Sequence, residues 1–409
     1  MLLFFATSYF LTCAYSSSVK NTIRKRYDSD DLALKQQECP SWTKDFTRNE
    51  KNCLNKKFLR ITPLLGFGNK LNGILQGALG AYWLDRCLLI NWSYGDLLST
   101  YLQKEYTITG MKNLAVSRRP QNTKKISFPR SSKAFKKLKV ARYSELILDM
   151  KVGYRDMFCT AVMAQQIDVG LTRQKREQLT RTNTLCVFLE KCILQNVVRP
   201  KVPLKISITK IKEKWMSNNS ISIAAHIRMG DYISIEQEDQ HVLKTGGDMR
   251  IPRHALDLFW KTVKFKAEEV LGKTEKSNFS IFMSADNQFA LDDASHALGS
   301  GNVYHTKGSF RHSDLDYRND SSAIKMLTDW FLLSEADIVI QGPWSTFVEK
   351  ALVYSNRKQH IIRCHILPQM VNHESLILQK NGWGCFENVM KDTFKGPRAV
   401  DFYKGIKLT

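Results

Sequence analysis

Apolar and polar positions along the chain change period from one stretch to the next, and each change marks an element. The stretch 221–226 is a short alternating run of β-branched and small residues and reads as a buried strand. It stops at His226-Ile227-Arg228, followed by Met229-Gly230-Asp231. Side chains alternate along a strand, so His226 and Arg228 share a face at its carboxyl end. Upstream, Phe58–Thr62 reads as a strand. After Gly66-Phe67-Gly68-Asn69, residues Leu71, Ile74, Leu75, Ala78, Leu79 and Tyr82 fall on one face of a helix. Gly73 and Gly77 weaken a helix, so they point to close packing on a sheet. Cys87–Trp92 is the next strand, which completes a βαβ unit and implies a parallel sheet.

The same alternation returns in the second half. A helix fits 252–271, and Asn278–Met283 is a strand ending in Ser284-Ala285-Asp286. The helix Ala323–Ser334 leads into a strand at Ala336–Ile340. Gly342-Pro343-Trp344-Ser345-Thr346-Phe347 follows, then a helix at Val348–Tyr354 and a strand at His360–Cys364. Residues 143–200 read as mostly helical, with Pro200 and Pro203 as punctuation. The expectation is two α/β domains facing a cleft, residues 58–205 and 206–395, with a C-terminal tail from 396. Residues 19–57 are polar and poorly periodic and read as a stem or linker, closed by Cys39 and Cys53.

Composition narrows the picture. A chain of 409 residues with 43% hydrophobic and 11% aromatic content is long and apolar enough for two real cores. The formal net charge of +22 favours a partner carrying negative charge. Leu2–Tyr15 is nearly all apolar or small, with Ser16–Ser18 after it. This suits a signal peptide or a short signal-anchor, residues 1–18, rather than a full membrane span. Without Cys13, eight cysteines remain, an even number that permits disulfides. Sequons at Asn91, Asn218, Asn278 and Asn319 agree with a secretory route, in the lumen of the Golgi or ER. No C-x-x-C occurs, which argues against a structural zinc site. Between Lys112 and Arg142 there are eleven Lys or Arg and no acidic residue. That segment reads as a solvated loop, or else as a patch for an anionic glycan or a membrane surface. No nucleic-acid motif accompanies the charge.

The candidate chemistry sits at the strand end. An arginine there, with Gly230 permitting a tight turn, offers a planar fork and a permanent charge that suit a phosphate. On those residues alone, a structural ion pair between Arg228 and Asp231 is an equal reading. Three ordered elements tip the balance: G-F-G-N-K-L before an amphipathic helix, H-I-R-M-G-D at a strand end, and D-W-F-L-L-S-E-A-D-I-V-I with G-P-W-S-T-F after it. Together, over roughly residues 58–360, they resemble the superfamily of GDP-fucose-dependent fucosyltransferases. That group includes the α-1,2-, α-1,6-, xyloglucan and protein O-fucosyltransferases. Its motif H-x-R-R-x-D is matched in part, because Met229 stands where the α-1,2 and α-1,6 groups usually have a second Arg.

The resemblance implies a GT-B fold, two Rossmann-like domains with parallel sheets and the donor between them. It implies Arg228 as the catalytic cation at the diphosphate. Donor-side positions would be His226, Asp231, Asp286, Asp329, Ser345, Thr346 and Phe347, with Gly66, Gly68 and Asn69 toward the sugar. Inverting transfer of fucose to a glycan or glycoprotein needs no metal cofactor under this scheme. The pair Asp314 and Asp316, a D-x-D, lies outside the motifs. Asp231, Glu236, Asp239 and Asp248 are the carboxylates near enough in sequence to serve as a base. Two other readings stay open: a transferase for another nucleotide sugar, and an inactive glycan-binding protein on the same fold.

Overall fold

The computed structural model describes residues 39–45, 57–63, 66–90, 123–126, 145–150, 162, 169–181, 185–217, 221–229, 251, 253–271, 279–308, 320–342, 345–357, 359–366, 375–380 and 383–388. In the first half, strands β1 (Phe58–Pro63), β2 (Cys87–Ile90), β3 (Thr123–Ile126) and β4 (Glu145–Met150) form a parallel sheet in the order β2-β1-β4-β3. Its helices are α1 (Ser41–Asp45), α2 (Phe67–Trp83), α3 (Arg173–Arg181) and α4 (Leu185–Val197). Helix α2 is the crossover between β1 and β2 and lies on the sheet. A Cβ at Gly77 would come within 2.6 Å of Ile61 Cδ1, so glycine lets the helix sit this close.

The second half holds helices α5 (Val202–Met216), α6 (Arg253–Leu271), α7 (Gln288–Leu298), α8 (Asp320–Glu335) and α9 (Thr346–Tyr354). Its strands are β5 (Ile223–Ile227), β6 (Ile281–Ala285), β7 (Val303–His305), β8 (Ile338–Gln341), β9 (His360–Ile366), β10 (Ser375–Lys380) and β11 (Trp383–Asn388). They form one sheet in the order β10-β11-β9-β8-β5-β6-β7. The five strands from β9 to β7 are parallel, and β11 and β10 add antiparallel pairs at the edge. The expected parallel sheet is therefore mixed at one side. From β5 the chain moves outward to β6 and β7, then returns to β8 on the other flank of β5. That reversal is the topological switch point at which open α/β sheets bind ligands.

Strand β5 is buried on both faces. Ile223, Ala225 and Ile227 face a core built with α6 and α7, where Leu256, Phe259, Val263 and Leu291 pack. Ala224 faces the other core. That core runs without a break from Leu59 and Ile61 in β1, through α2 and α4, to Trp330 of α8 and Val348 of α9. The two sheets are thus joined by an apolar layer of helices. Trp215 of α5 is fully buried, and its Nε1–H donates to the Ile223 carbonyl at 3.1 Å. Helix α5 packs on α8 and β7, so residues on both sides of 205 belong with the second sheet.

Several expectations change. Cys39 pairs with Cys192 on α4, not with Cys53, and Cys364 pairs with Cys385 across β9 and β11. Part of the expected stem is therefore docked: the Trp42 ring stacks on Tyr82 at 4.3 Å, and its Nε1–H donates to the Val169 carbonyl. Strand β3 interrupts the basic stretch, and β4 opens the region expected to be helical. Helix α7 and strands β7, β10 and β11 are additions to the sequence reading. Asn91, Asn218, Asn278, Asn319, Gly230, Asp231, Glu236, Asp239, Asp248, Asp314 and Asp316 lie outside the described residues.

Candidate functional site

Three pieces of chain meet at the carboxyl end of β5. The first is His226-Ile227-Arg228 itself. Arg228 is half-buried, and its backbone is held on both sides. Its carbonyl accepts from Ile251 N–H at 3.0 Å, and the next amide, Met229 N–H, donates to Asp286 Oδ1 at 2.8 Å. Asp286, just past the end of β6, thus braces the turn that carries the guanidinium.

The second piece is the start of α9. Strand β8 ends at Gln341, which pairs in register with His226. The chain then enters α9 through Ser345, and no side chain caps that helix. The amides of its first turn have no partner within the helix. The Ser345 hydroxyl bonds His226 Nε2 at 3.3 Å. The third piece is the start of α2, which likewise has no side-chain cap at Gly66. A Cβ at Gly68 would lie 2.5 Å from the backbone carbon and oxygen of Thr346 and 2.6 Å from Phe347 N. Two helix N-termini therefore abut, backbone to backbone, and only glycine permits that distance. Asn69 follows in the first turn of α2 and is half-buried. Converging helix N-termini suit an anion, because their amide protons and dipoles face it.

Beneath these pieces runs a buried polar chain. His226 Nδ1 lies 3.2 Å from Ser284 Oγ, and Ser284 Oγ–H donates to Asp329 Oδ2 at 3.2 Å. Lys325 Nζ donates to the same oxygen at 2.7 Å, one helical turn away on α8. Because the Ser284 proton goes to Asp329, its oxygen accepts from His226 Nδ1–H. His226 Nε2 is then the acceptor of the Ser345 hydroxyl proton. Burial, then the charges of Arg228 and Lys325, push the His226 pKa from 6.5 down to about 3. The imidazole is neutral at ordinary pH, in one tautomer, with both nitrogens engaged. Its two nitrogens are taken up by Ser284 and Ser345. The Phe347 ring stacks on it at 5.5 Å, and Phe67 meets Phe347 edge-on at 6.3 Å.

The sequence-predicted residues His226, Arg228, Ser345, Thr346, Phe347, Gly66, Gly68, Asn69 and Asp286 thus gather at one end of the second sheet. Asp329 is only 3% exposed and is linked to His226 through Ser284, with Lys325 as its charge partner and Oδ1 without a hydrogen bond. Sequence reasoning missed Lys325 and the part played by Ser284. The spacing from Lys325 to Asp329 is one helical turn and is visible in the sequence, but its value depends on burial. Among the described residues, no cluster of three or more His, Cys, Asp or Glu is placed to hold a metal ion. No described helix is long and apolar enough to cross a membrane.

No protein-family model matches the chain, and no curated protein matches it. Solved structures do. Arabidopsis thaliana FUT1, a point mutant in complex with GDP, aligns with a TM-score of 0.50 at 13% identity, covering 78% of this chain and 78% of that one. The fucosyltransferase NodZ from Bradyrhizobium aligns with a TM-score of 0.44 at 15% identity, over 76% of this chain and 95% of its own. POFUT1 in complex with GDP-fucose aligns with a TM-score of 0.38 at 13% identity, over 74% of this chain and 96% of its own. The chain has the fold of the plant protein: α/β, of the GT-B type, as its sequence motifs lead one to expect.

Proposed function

We propose that this chain is a fucosyltransferase that moves fucose from GDP-fucose to a glycan or glycoprotein acceptor, with inversion, in the lumen of the secretory pathway. One observation carries the reading: Arg228 and two uncapped helix N-termini converge at the switch point of a Rossmann-like sheet. A sugar diphosphate is the ligand whose charge fits that arrangement, and GDP is bound by the plant neighbour.

The chemistry follows from where charge moves. In a single displacement the bond from fucose C1 to the β-phosphate oxygen breaks, the acceptor oxygen bonds to C1, and the acceptor proton leaves. Negative charge grows on the departing diphosphate. A fixed guanidinium and backbone amides aimed at that group stabilise the transition state more than the ground state. Arg228 supplies the cation, and the first amides of α9 supply neutral donors. Asp286 and the Ile251 amide hold the Arg228 backbone, so little reorganisation is needed as charge develops. His226, held neutral, keeps the Ser345 hydroxyl oriented. Gly66, Gly68 and Asn69 bring the first domain to the sugar side. The proton acceptor is assigned to none of the described residues. Under this reading the basic stretch from Lys112 to Arg142 serves an anionic acceptor glycan.

The test is direct. Purified protein is incubated with GDP-fucose and a glycan array, and products are mapped for added fucose. Release of GDP from GDP-mannose, or of UDP from a UDP-sugar, with no turnover of GDP-fucose assigns the chain to another donor. Retention on heparin, with no GDP binding by calorimetry, would instead identify an inactive glycan-binding protein.

A further inference from the structure

Helix α9 presents Ser345 and Thr346, yet much of what holds it comes from the other domain. It packs on α2 and α4 of the first half as well as on α8. On α4, Glu190 forms an ion pair with Lys350, in the second turn of α9, and both residues are more than nine-tenths buried. Distance makes it an ion pair; Glu190 Oε1 has no aligned hydrogen bond. Farther along α4, Gln195 Nε2 donates to the Tyr354 carbonyl at 3.2 Å, at the end of α9. Helix α4 therefore grips α9 along its length. Cys192, on the same helix, is bonded to Cys39, which ties α4 to the N-terminal segment.

A buried pair of this kind is a weak source of net stability, because desolvation offsets the attraction. It is a strong constraint on geometry, because neither charge can move away without leaving the other buried and unpaired. We infer that Glu190 is a positioning residue for the donor site: acting through Lys350, it sets where the first turn of α9 lies against Arg228 and α2. The inference rests on the proposed donor site for its consequence, though not for its geometry. It means that the first domain, taken to be the acceptor side, also shapes the diphosphate side.

The experiment reads α9 directly. Hydrogen exchange is measured on the unliganded full chain for the parent, Glu190→Gln, Lys350→Met, the double variant, and Leu298→Ala. Leu298 is buried on α7, on the opposite face of the sheet, so its variant loses stability without touching α9. Either single charge variant is expected to speed exchange of the hydrogen-bonded amides 349–354, the first of which donates to the Ser345 carbonyl, by about tenfold or more, as local opening becomes easier. Leu298→Ala leaves those amides slow. The double variant regains most of the protection, since no charge is left unpaired. Parental exchange rates in Glu190→Gln, or equal acceleration in Leu298→Ala, would overturn the inference. GDP titration adds the functional arm, with Glu190→Gln expected to bind about tenfold more weakly and the double variant near the parent. A parent that binds no GDP sinks the functional reading alone, and the exchange rates still judge the role of Glu190.

Discussion

Arg228 and His226 stand two residues apart, one just past the end of β5 and one within it, and their surroundings differ. Arg228 is half-buried and held by backbone contacts. His226 is buried and neutral, its pKa pushed down to about 3. Arg228→Ala is expected to lower kcat by about 10²–10³-fold, the scale of removing one transition-state donor. Steady-state rates with GDP-fucose check this, and near-parental turnover would take Arg228 out of the mechanism. His226 yields a pH prediction. Between 6.5 and about 3 the native state keeps the imidazole unprotonated while the unfolded chain takes up a proton. Stability from this group is present above 6.5 and is lost as pH falls through that window. In His226→Gln the fall in Tm over this window is expected to be shallower than in the parent. Equal slopes would show that the imidazole is not the group responsible.

The decisive element contact is the one between the starts of α2 and α9. Gly68 is needed because Thr346 and Phe347 backbone atoms occupy the space a methyl group would take. Backbone cannot swing aside as a flexible side chain can. Gly68→Ala is therefore expected to destabilise the protein by about 1–3 kcal/mol and to weaken GDP binding as well. Thermal unfolding and GDP titration read the two effects separately. Loss of stability with unchanged GDP affinity would mean that the abutting helices matter only for packing.

The two sheets share one apolar helical layer, so the halves of the molecule are mechanically coupled. Cys39–Cys192 closes the longer of the two described links, 153 residues apart in sequence, and anchors α4. Its loss through Cys39→Ser with Cys192→Ser is expected to reduce stability by about 2–5 kcal/mol, visible as a lower denaturant midpoint. An unchanged midpoint would show that packing around Trp42 and Tyr82 suffices to hold that segment.

The sequence alone determined which segments are strands and helices wherever one apolar period ran long enough. The β1–α2–β2 unit, β5, α6, α8, β8 and α9 were all legible within a few residues at their ends. It also determined the G-F-G-N, H-I-R-M-G-D and S-T-F motifs, because local chemistry and spacing are written in the order of residues. Short or edge strands such as β3, β7, β10 and β11 were not legible, since a strand of a few residues is decided by what it pairs with. The same holds for the site. That Gly68 meets Thr346, that Asp329, paired with Lys325, is linked to His226 through Ser284, and that Cys39 reaches Cys192 are contacts between segments tens to hundreds of residues apart. Only the folded backbone sets those distances, and burial, which sets the charge state of His226, exists only once the chain has closed around it.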